Sequence, residues 1–244
     1  MRIAILSDIH GNRTAFEAVL ADLCATAPDL ILHGGDLAFG GAGPVEIVDR
    51  IRDLGWQGVV GNTDEMLFRP ESLEEFASQS SAPPSLCTAT RQMAVATRAL
   101  LGEERIAWLR GLARVQIAGP MALVHASPES LWRAPTPEAT EVELESVYVP
   151  LGQPIAVYAH IHRPYIRSVT SSQGREKFVA NTGSVSLSYD GDRRASYLLL
   201  DGSSPTIRRV EYDLEKELKA LSACGLPHVE WVAKSLRAGS PQVP

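Results

Sequence analysis

Short apolar runs alternate with amphipathic stretches along the first sixty residues. The apolar runs cover residues 3–6, 30–32 and 59–60, and each has the composition of a short buried strand. The amphipathic stretches cover residues 14–25, which carry a Thr14/Glu17 capping box at their start, and residues near 45–54. This order predicts a βαβαβ arrangement and therefore a sheet with parallel strands.

The rest of the chain changes from helix to strand. Residues 65–113 are predicted to be mostly helical, with a break at residues 80–84. Further strands are predicted at residues 115–117, 122–124, 155–158, 166–169, 178–180, 197–200 and 207–210. Helices are expected at residues 138–147, 213–223 and 228–236, and residues 240–244 are expected to form a disordered tail. The pattern predicts one domain, residues 1–239, of two packed sheets with helices outside.

Polar residues follow five of the predicted strands directly. They are Asp8 and His10, His33 and Asp36, Asn62 and Asp64, His125 alone, and His160 and His162. In open α/β sheets, ligands bind beyond the carboxyl ends of the strands. We therefore expect the five clusters to meet at one rim.

These side chains supply carboxylate, amide and imidazole donors, a set that suits Mn, Fe, Co or Zn. Asp8/His10 and His160/His162 are pairs two residues apart, and on an extended strand end both members project to the same side. Each cluster alone has a plainer interpretation, since a strand-end aspartate often caps a helix and a lone histidine is often a core residue. Five clusters, each directly after a strand, favour a metal site.

The ordered pattern Asp-x-His, Gly-Asp, Gly-Asn-x-Asp, His and x-His-x-His spans positions 8 to 162. It resembles the calcineurin-like metallophosphoesterases, and among them the small bacterial and archaeal phosphodiesterases. The segment from Asn181 to Val185 strengthens the resemblance. The family implies an α/β fold, a four-layer αββα sandwich of two mixed sheets flanked by helices. It also implies two divalent transition-metal ions, with manganese expected first and Fe, Zn, Co or Ni as alternatives.

The resemblance assigns roles position by position. The first ion would be held by Asp8, His10, Asp36 and His162. Asp36 would bridge to the second ion, which Asn62, His125 and His160 would complete. Among these ligands, the residues expected to act in catalysis are Asp8, Asp36, Asn62 and His125.

Two positions depart from the family pattern. Ala159 replaces the usual glycine before the last histidine pair, which is a small change. Thr63 stands where many members have the histidine that protonates the leaving oxygen, so general-acid catalysis is in doubt. His33 and Asp64 are candidates to orient the ligands, although His33 is at least as well explained as a plain strand-end histidine.

Composition narrows the choice of partners. The net charge of −6 makes nucleic acid an unlikely partner, and no apolar stretch approaches the length of a membrane span. The three cysteines match no metal or redox spacing and are expected to be buried in a reducing compartment, so we expect a cytoplasmic location. The sequence predicts neither the oligomeric state nor the particular substrate.

The predicted function is a metal-dependent phosphodiesterase that hydrolyses small phosphate esters with a hydroxide activated by two metal ions. A phosphomonoesterase or protein phosphatase would use the same ligands. An amidohydrolase also carries a His-x-His pair, but there it typically follows the first strand. A non-catalytic interaction scaffold of the same fold is a further alternative, although all seven ligand positions are filled here.

Overall fold

The computed structural model describes residues 1–170, 174 and 176–244, which form ten strands and eight helices. The strands are β1 (Arg2–Leu6), β2 (Leu30–His33), β3 (Gln57–Gly58), β4 (Val115–Ala118), β5 (Met121–Val124), β6 (Ile155–Tyr158), β7 (Tyr165–Thr170), β8 (Glu176–Asn181), β9 (Ala195–Asp201) and β10 (Ser204–Val210). The helices are α1 (Arg13–Thr26), α2 (Pro44–Asp53), α3 (Asn62–Phe68), α4 (Glu71–Ser78), α5 (Pro84–Arg110), α6 (Glu141–Tyr148), α7 (Leu214–Ala223) and α8 (Val229–Ala238).

The strands form two mixed sheets of five strands each. The first has the order β10-β9-β1-β2-β3, in which β1, β2 and β3 are parallel, as the βαβαβ pattern predicts. The second has the order β4-β5-β6-β8-β7, in which β5, β6 and β8 are parallel. Antiparallel strands complete both sheets.

Alternating side chains of β1 show how the layers pack. Ile3 and Ile5 belong to the core between the two sheets, together with residues of β5 and β6. Ala4 and Leu6 point the other way, into a core shared with helices of the first and last parts of the chain. On the outer face of the second sheet, Leu144 of α6 packs in a third core. The expected α/β sandwich with helices on both outer faces is confirmed.

Several local predictions are wrong. The third strand is β3 at Gln57–Gly58, and Val59 makes only an isolated bridge to Ala113 because the chain then turns into α3. Asn12 caps α1, its side chain accepting from the amide of Ala15 at 2.9 Å, so the predicted Thr14/Glu17 capping box is not the cap. The helix begins one residue earlier because the chain turns at Gly11.

The prediction that the cysteines are buried is also wrong. Cys24 is exposed, while Cys87 and Cys224 are half-buried. Cys24 lies beside Leu23, the last member of the buried stripe of α1, and so falls on the outer face.

The predicted helical segment is confirmed as α3, α4 and α5, with a break between α4 and α5. Across the part of the chain that the structure describes, we find no helix with the length and apolar character that a membrane crossing requires. The backbone of residues 240–244 is described, and Trp231 donates from its ring nitrogen to the carbonyl of Gln242 at 2.7 Å. Disorder of this tail stays a prediction.

Candidate metal centre

The loops after β1, β2, β3, β5 and β6 meet at one edge of the sandwich, as the sequence predicts. The loops after β1 and β2 run alongside each other, where the amide of Asp8 donates to the carbonyl of Gly35 and that of His10 to the carbonyl of Asp36, both at 3.0 Å. The amide of Ala159 donates to the carbonyl of His125 at 2.8 Å, which joins the loops after β5 and β6. Main-chain bonds therefore fix the loops that carry the clusters.

The candidate ligands have an unusual backbone conformation. Among the described residues other than glycine, seven have positive φ, and five of them are Asp8, His10, Asp36, His160 and His162. Their φ angles lie between 48° and 67°, in the left-handed region that non-glycine residues seldom occupy. The expectation that the i, i+2 pairs project from an extended strand end is therefore wrong, although their side chains do converge. Such strain clusters at functional sites.

Four buried side chains form the first cluster. Asp8, His10, Asp36 and His162 each offer one ligand atom, and these atoms all lie within 4.8 Å of one another. The Nε2 atoms of His10 and His162 are 3.3 Å apart, and the Nε2 of His162 is 3.2 Å from the Oδ1 of Asp8. These four are the residues expected to hold the first ion.

The second cluster centres on an amide oxygen. The Oδ1 of Asn62 is 2.8 Å from the Nε2 of His125 and 2.9 Å from the Nδ1 of His160. The Nε2 of His125 is also 3.6 Å from the Oδ1 of Asp36, whose Oδ2 lies 3.7 Å from the Nε2 of His10. Asp36 thus lies between the two clusters, as a bridging ligand would.

Main-chain carbonyls orient three of the four imidazoles. The Nδ1 of His10 lies 2.8 Å from the carbonyl of Phe39, and that of His125 lies 2.7 Å from the carbonyl of Gly34. The Nδ1 of His162 lies 2.5 Å from the carbonyl of Leu187. A carbonyl accepts only, so each Nδ1 carries the proton and, in the neutral ring, each Nε2 offers its lone pair to the cluster.

This arrangement fits metal ions better than a hydrogen-bonded polar cluster. The lone pair on Nε2 of neutral His125 faces the Oδ1 of Asn62, which is also an acceptor. The Oδ1 of Asp8 is buried and has no hydrogen-bond partner. Neighbouring donor atoms spaced 2.8–3.3 Å apart have the separation of atoms that share a cation at about 2.0–2.2 Å. A cation would satisfy these acceptors together.

Burial and charge set the protonation of the cluster. Burial lowers the pKa of His10 and lowers that of His160 to about 4, so both rings are neutral at pH 7. Burial alone would raise the pKa of Asp8, but the charges of His162, His125 and His10, together with the hydrogen bond to His162, outweigh it, and the pKa falls below its usual range. Burial also acts on His162, yet the neighbouring Asp8 raises the pKa of that ring overall. The neutral rings of His10 and His160 and the ionised carboxylate of Asp8 therefore present lone pairs to the centre.

Asp64 fastens the loops that carry Asp36 and Asn62. Its Oδ2 accepts from the amide of Asp36 at 2.7 Å and from that of Gly61 at 3.1 Å, and its Oδ1 accepts from the amide of Leu37 at 3.0 Å. Burial first, and the charge of Asp36 second, raise the pKa of Asp64 to about 6. These contacts support the predicted orienting role of Asp64.

His33 lies apart from this network. It is fully buried, neither ring nitrogen has a hydrogen-bond partner, and burial lowers its pKa to about 4. Its ring lies 6.1 Å from that of Trp108. The plainer interpretation, a strand-end histidine, describes it better than an orienting role.

The segment after β8 supports the first cluster through contacts that the sequence alone does not predict. The hydroxyl of Ser184 donates to the carbonyl of Asp8 at 2.8 Å. The hydroxyl of Thr182 lies 2.5 Å from that of Ser7, which donates to the Oδ2 of Asp8 at 2.7 Å. The resemblance over Asn181–Val185 was the signal that could have revealed these residues.

A cavity of about 220 Å³ opens onto both clusters, reaching His10, Asp36, Asn62, His160 and His162. We call it the aromatic cavity, because six apolar or aromatic side chains dominate its wall. They are Phe39, Phe76, Leu86, Trp132, Tyr189 and Trp231. Thr63 also lines it, and the Oγ1 of this residue is buried without a hydrogen-bond partner. Phe76 and Leu86 belong to residues 65–113, the segment that was predicted to lie beside the centre.

Comparisons with known proteins agree with this geometry. Residues 1–204 match the model of the calcineurin-like phosphoesterase superfamily domain. The chain is 30% identical to protein MJ0912 of Methanocaldococcus jannaschii, over 97% of this chain and 98% of that one. A metallophosphoesterase of Sphaerobacter thermophilus, 27% identical, superposes with a TM-score of 0.76 over 98% of this chain and 99% of that one.

The fold recurs in a more distant structure. Protein PH1004 of Pyrococcus horikoshii OT3 superposes with a TM-score of 0.79 over 99% of each chain, at 18% identity. The family match covers the whole region from β1 to the start of β10, and with it every candidate ligand. The chain therefore belongs to the calcineurin-like phosphoesterase superfamily.

Proposed function

We propose that this protein is a phosphodiesterase that hydrolyses small phosphate esters at a centre of two divalent metal ions. Its family supports a metal-dependent phosphoesterase hydrolase, and the preference for diesters is our own inference. The observation that carries the proposal is the convergence of seven buried or half-buried ligand side chains in two neighbouring clusters, with Asp36 between them. The Oδ1 of Asp8 has no hydrogen-bond partner, the Nε2 of His125 faces the amide oxygen of Asn62, and five of the seven side chains line a cavity.

The two ions would be held in the two clusters described above. Asp8, His10 and His162 would hold one ion, Asn62, His125 and His160 would hold the other, and Asp36 would serve both. The donors are nitrogen and oxygen, without thiolate, which suits manganese and also Fe, Zn, Co or Ni. We propose Mn²⁺ as the native metal. When bound, the ions would lower the pKa of a water and offset charge on the phosphoryl oxygens.

The chain's own residues set the charge that a substrate meets. Two divalent ions bring four positive charges, and Asp8 and Asp36 remove two of them. An attacking hydroxide leaves about one positive charge, which matches the single negative charge of a phosphodiester better than the two of a monoester. Thr63 lines the cavity where the leaving oxygen would depart, and its hydroxyl is a poor acid. This favours esters whose leaving group departs unprotonated.

The test is hydrolysis by the purified protein before and after removal of metal. A chelator should abolish hydrolysis of bis-p-nitrophenyl phosphate and lower the melting temperature, and Mn²⁺ should restore both. A phosphomonoester with the same leaving group should be hydrolysed more slowly.

A matched pair of variants supplies the control. His162 and His228 both have positive φ, and Asn tolerates that conformation, so His162→Asn and His228→Asn impose the same chemical change. We expect His162→Asn to lose metal and activity, and His228→Asn, which is exposed at the start of α8, to keep both. Full activity in metal-free protein, or faster hydrolysis of the monoester, would contradict the proposal.

A further inference from the structure

The aromatic cavity has a composition that the chemistry of phosphate hydrolysis does not require. Much of its wall comes from α4, α5 and α8, helices that contribute no candidate ligand. Resting on the proposed function, we propose that this cavity is a subsite for one uncharged aromatic ring. The substrate would then be a monoanionic phosphodiester with such a ring on one of its ester groups.

The aromatic walls are fixed in place. The rings of Phe76 and Trp132 stack with centroids 4.9 Å apart and an interplanar angle of 25°. The ring nitrogen of Trp132 donates to the Oε2 of Glu65 at 3.0 Å. On α8, the ring nitrogen of Trp231 donates to the carbonyl of Gln242, which fixes the orientation of that ring. Tyr189 stacks on the candidate ligand His162 with centroids 4.5 Å apart. A ring that enters would meet surfaces already oriented, which lowers the entropic cost of binding.

The volume of the cavity limits what it can bury. A cavity of about 150 Å³ lined by apolar side chains is large enough to bind benzene. The aromatic cavity, at about 220 Å³, holds one ring of that size and part of the phosphoryl group. A dinucleotide or a second aromatic group would extend into solvent.

The charge of the side chains that line the cavity disfavours substrates with several negative charges. Among the described residues that line it, none is lysine or arginine. Nearby arginines are engaged elsewhere: Arg98 contacts the carbonyl of Leu67 and the carboxylate of Glu103, and Arg133 contacts Gln79. Additional phosphate groups would therefore be desolvated without a cationic partner, which is costly. A substrate with a single negative charge avoids this cost.

Binding of inert analogues tests the subsite separately from catalysis. Benzyl(methyl)phosphinate and propyl(methyl)phosphinate are both monoanions without an ester bond, so neither can be hydrolysed. Calorimetry on Mn²⁺-loaded protein should show the benzyl compound binding about 10–100-fold more tightly, because its ring buries more apolar surface. Inorganic triphosphate should bind more weakly than the benzyl compound. In chelator-treated protein, benzyl alcohol but not propanol should change the fluorescence of Trp132 and Trp231.

Two leucines on α5 provide a matched control. Leu86 lines the cavity, whereas Leu100 is 49% exposed and lies outside it. Leu86→Ala should lower the affinity for the benzyl compound about three- to tenfold and leave the affinity for the propyl compound unchanged. Leu100→Ala should change neither affinity. Cys87→Phe adds a side chain that fills the same cavity and removes no lining side chain that contacts the ring. It should lower the affinity for the benzyl compound.

The outcomes separate the two proposals. Equal affinity for the benzyl and propyl compounds, or tighter binding of triphosphate, in a protein that hydrolyses diesters would overturn the subsite alone. A clear benzyl preference in a protein that hydrolyses no phosphate ester would support the subsite and overturn the proposed function. Equal effects of Leu86→Ala and Leu100→Ala would place the ring elsewhere.

Discussion

Asp64 provides the sharpest test of what positions the candidate metal centre. It bonds to the main chain of the ligand loops and leaves the ligand side chains free to bind metal. Its carboxylate accepts three buried main-chain amides, those of Asp36, Leu37 and Gly61. The bonds link the loop after β2 to the start of α3, which carries Asn62. Substituting Asp64 should therefore disturb both clusters without removing a ligand.

The size of the effect follows from these bonds. In Asp64→Asn, an amide oxygen in the place of Oδ2 keeps the amides of Asp36 and Gly61, and the new amide group faces the amide of Leu37. One buried donor left unsatisfied costs about 1–3 kcal/mol. Loss of the charge repulsion with Asp36 offsets part of this cost. Asp64→Ala leaves all three donors unsatisfied, which approaches the about 5–15 kcal/mol stability of a whole protein, so the asparagine variant is the informative one.

The assay combines urea unfolding of metal-free protein with metal affinity and turnover. We expect Asp64→Asn to lower the free energy of unfolding by about 1–3 kcal/mol and metal affinity by about 10–100-fold. Asp213→Asn is the control, because Asp213 caps the exposed start of α7 and asparagine is also a good cap. If both variants match the wild type in stability and metal affinity, Asp64 does not hold the centre.

Three further predictions concern single positions. Asp36→Asn should lower turnover more than His10→Ala, because the carboxylate of Asp36 lies close to imidazoles of both clusters; equal losses, with two metals still bound, would place the bridge elsewhere. Thr63→His should raise turnover of alkyl esters more than of aryl esters, by up to about 10²-fold, since it supplies a proton to a poor leaving group; similar wild-type rates on both classes would refute this. His33→Leu should flatten the pH dependence of unfolding. The pKa of His33 is about 4 in the fold and 6.5 in the open chain, so stability falls by about 3 kcal/mol as pH drops between them, and an unchanged slope would contradict it.

The position of the candidate metal centre could be predicted because its residues follow strands directly. Asp8 and His10 come two and four residues after Leu6, and His125 comes immediately after Val124. In parallel strands, proximity along the chain to a carboxyl end becomes proximity in space. The layers of the sandwich were predicted from the family resemblance, and the core between the two sheets confirms this prediction.

The aromatic cavity could not be predicted from local patterns. Trp132 follows β5 in an irregular loop, and Trp231 lies on α8, about one hundred residues later in the chain. Each has the spacing of an ordinary packing residue, and only the tertiary fold brings them to the same wall. For the same reason, the sequence of residues 65–113 does not indicate which leaving group the substrate carries.

The backbone conformation of the ligand loops could not be predicted from the local sequence. Alternation along an extended strand predicts the convergence of Asp8 and His10, yet both have positive φ. Each such residue costs of order 1–3 kcal/mol, and this strain persists only where surrounding contacts impose it. Those contacts are the bonds from the amides of Asp8, His10 and Gly11 to the carbonyls of the loop after β2, at 2.8–3.0 Å. Because these bonds connect two separate loops, the donor atoms are positioned by the fold itself, before any ion or substrate arrives.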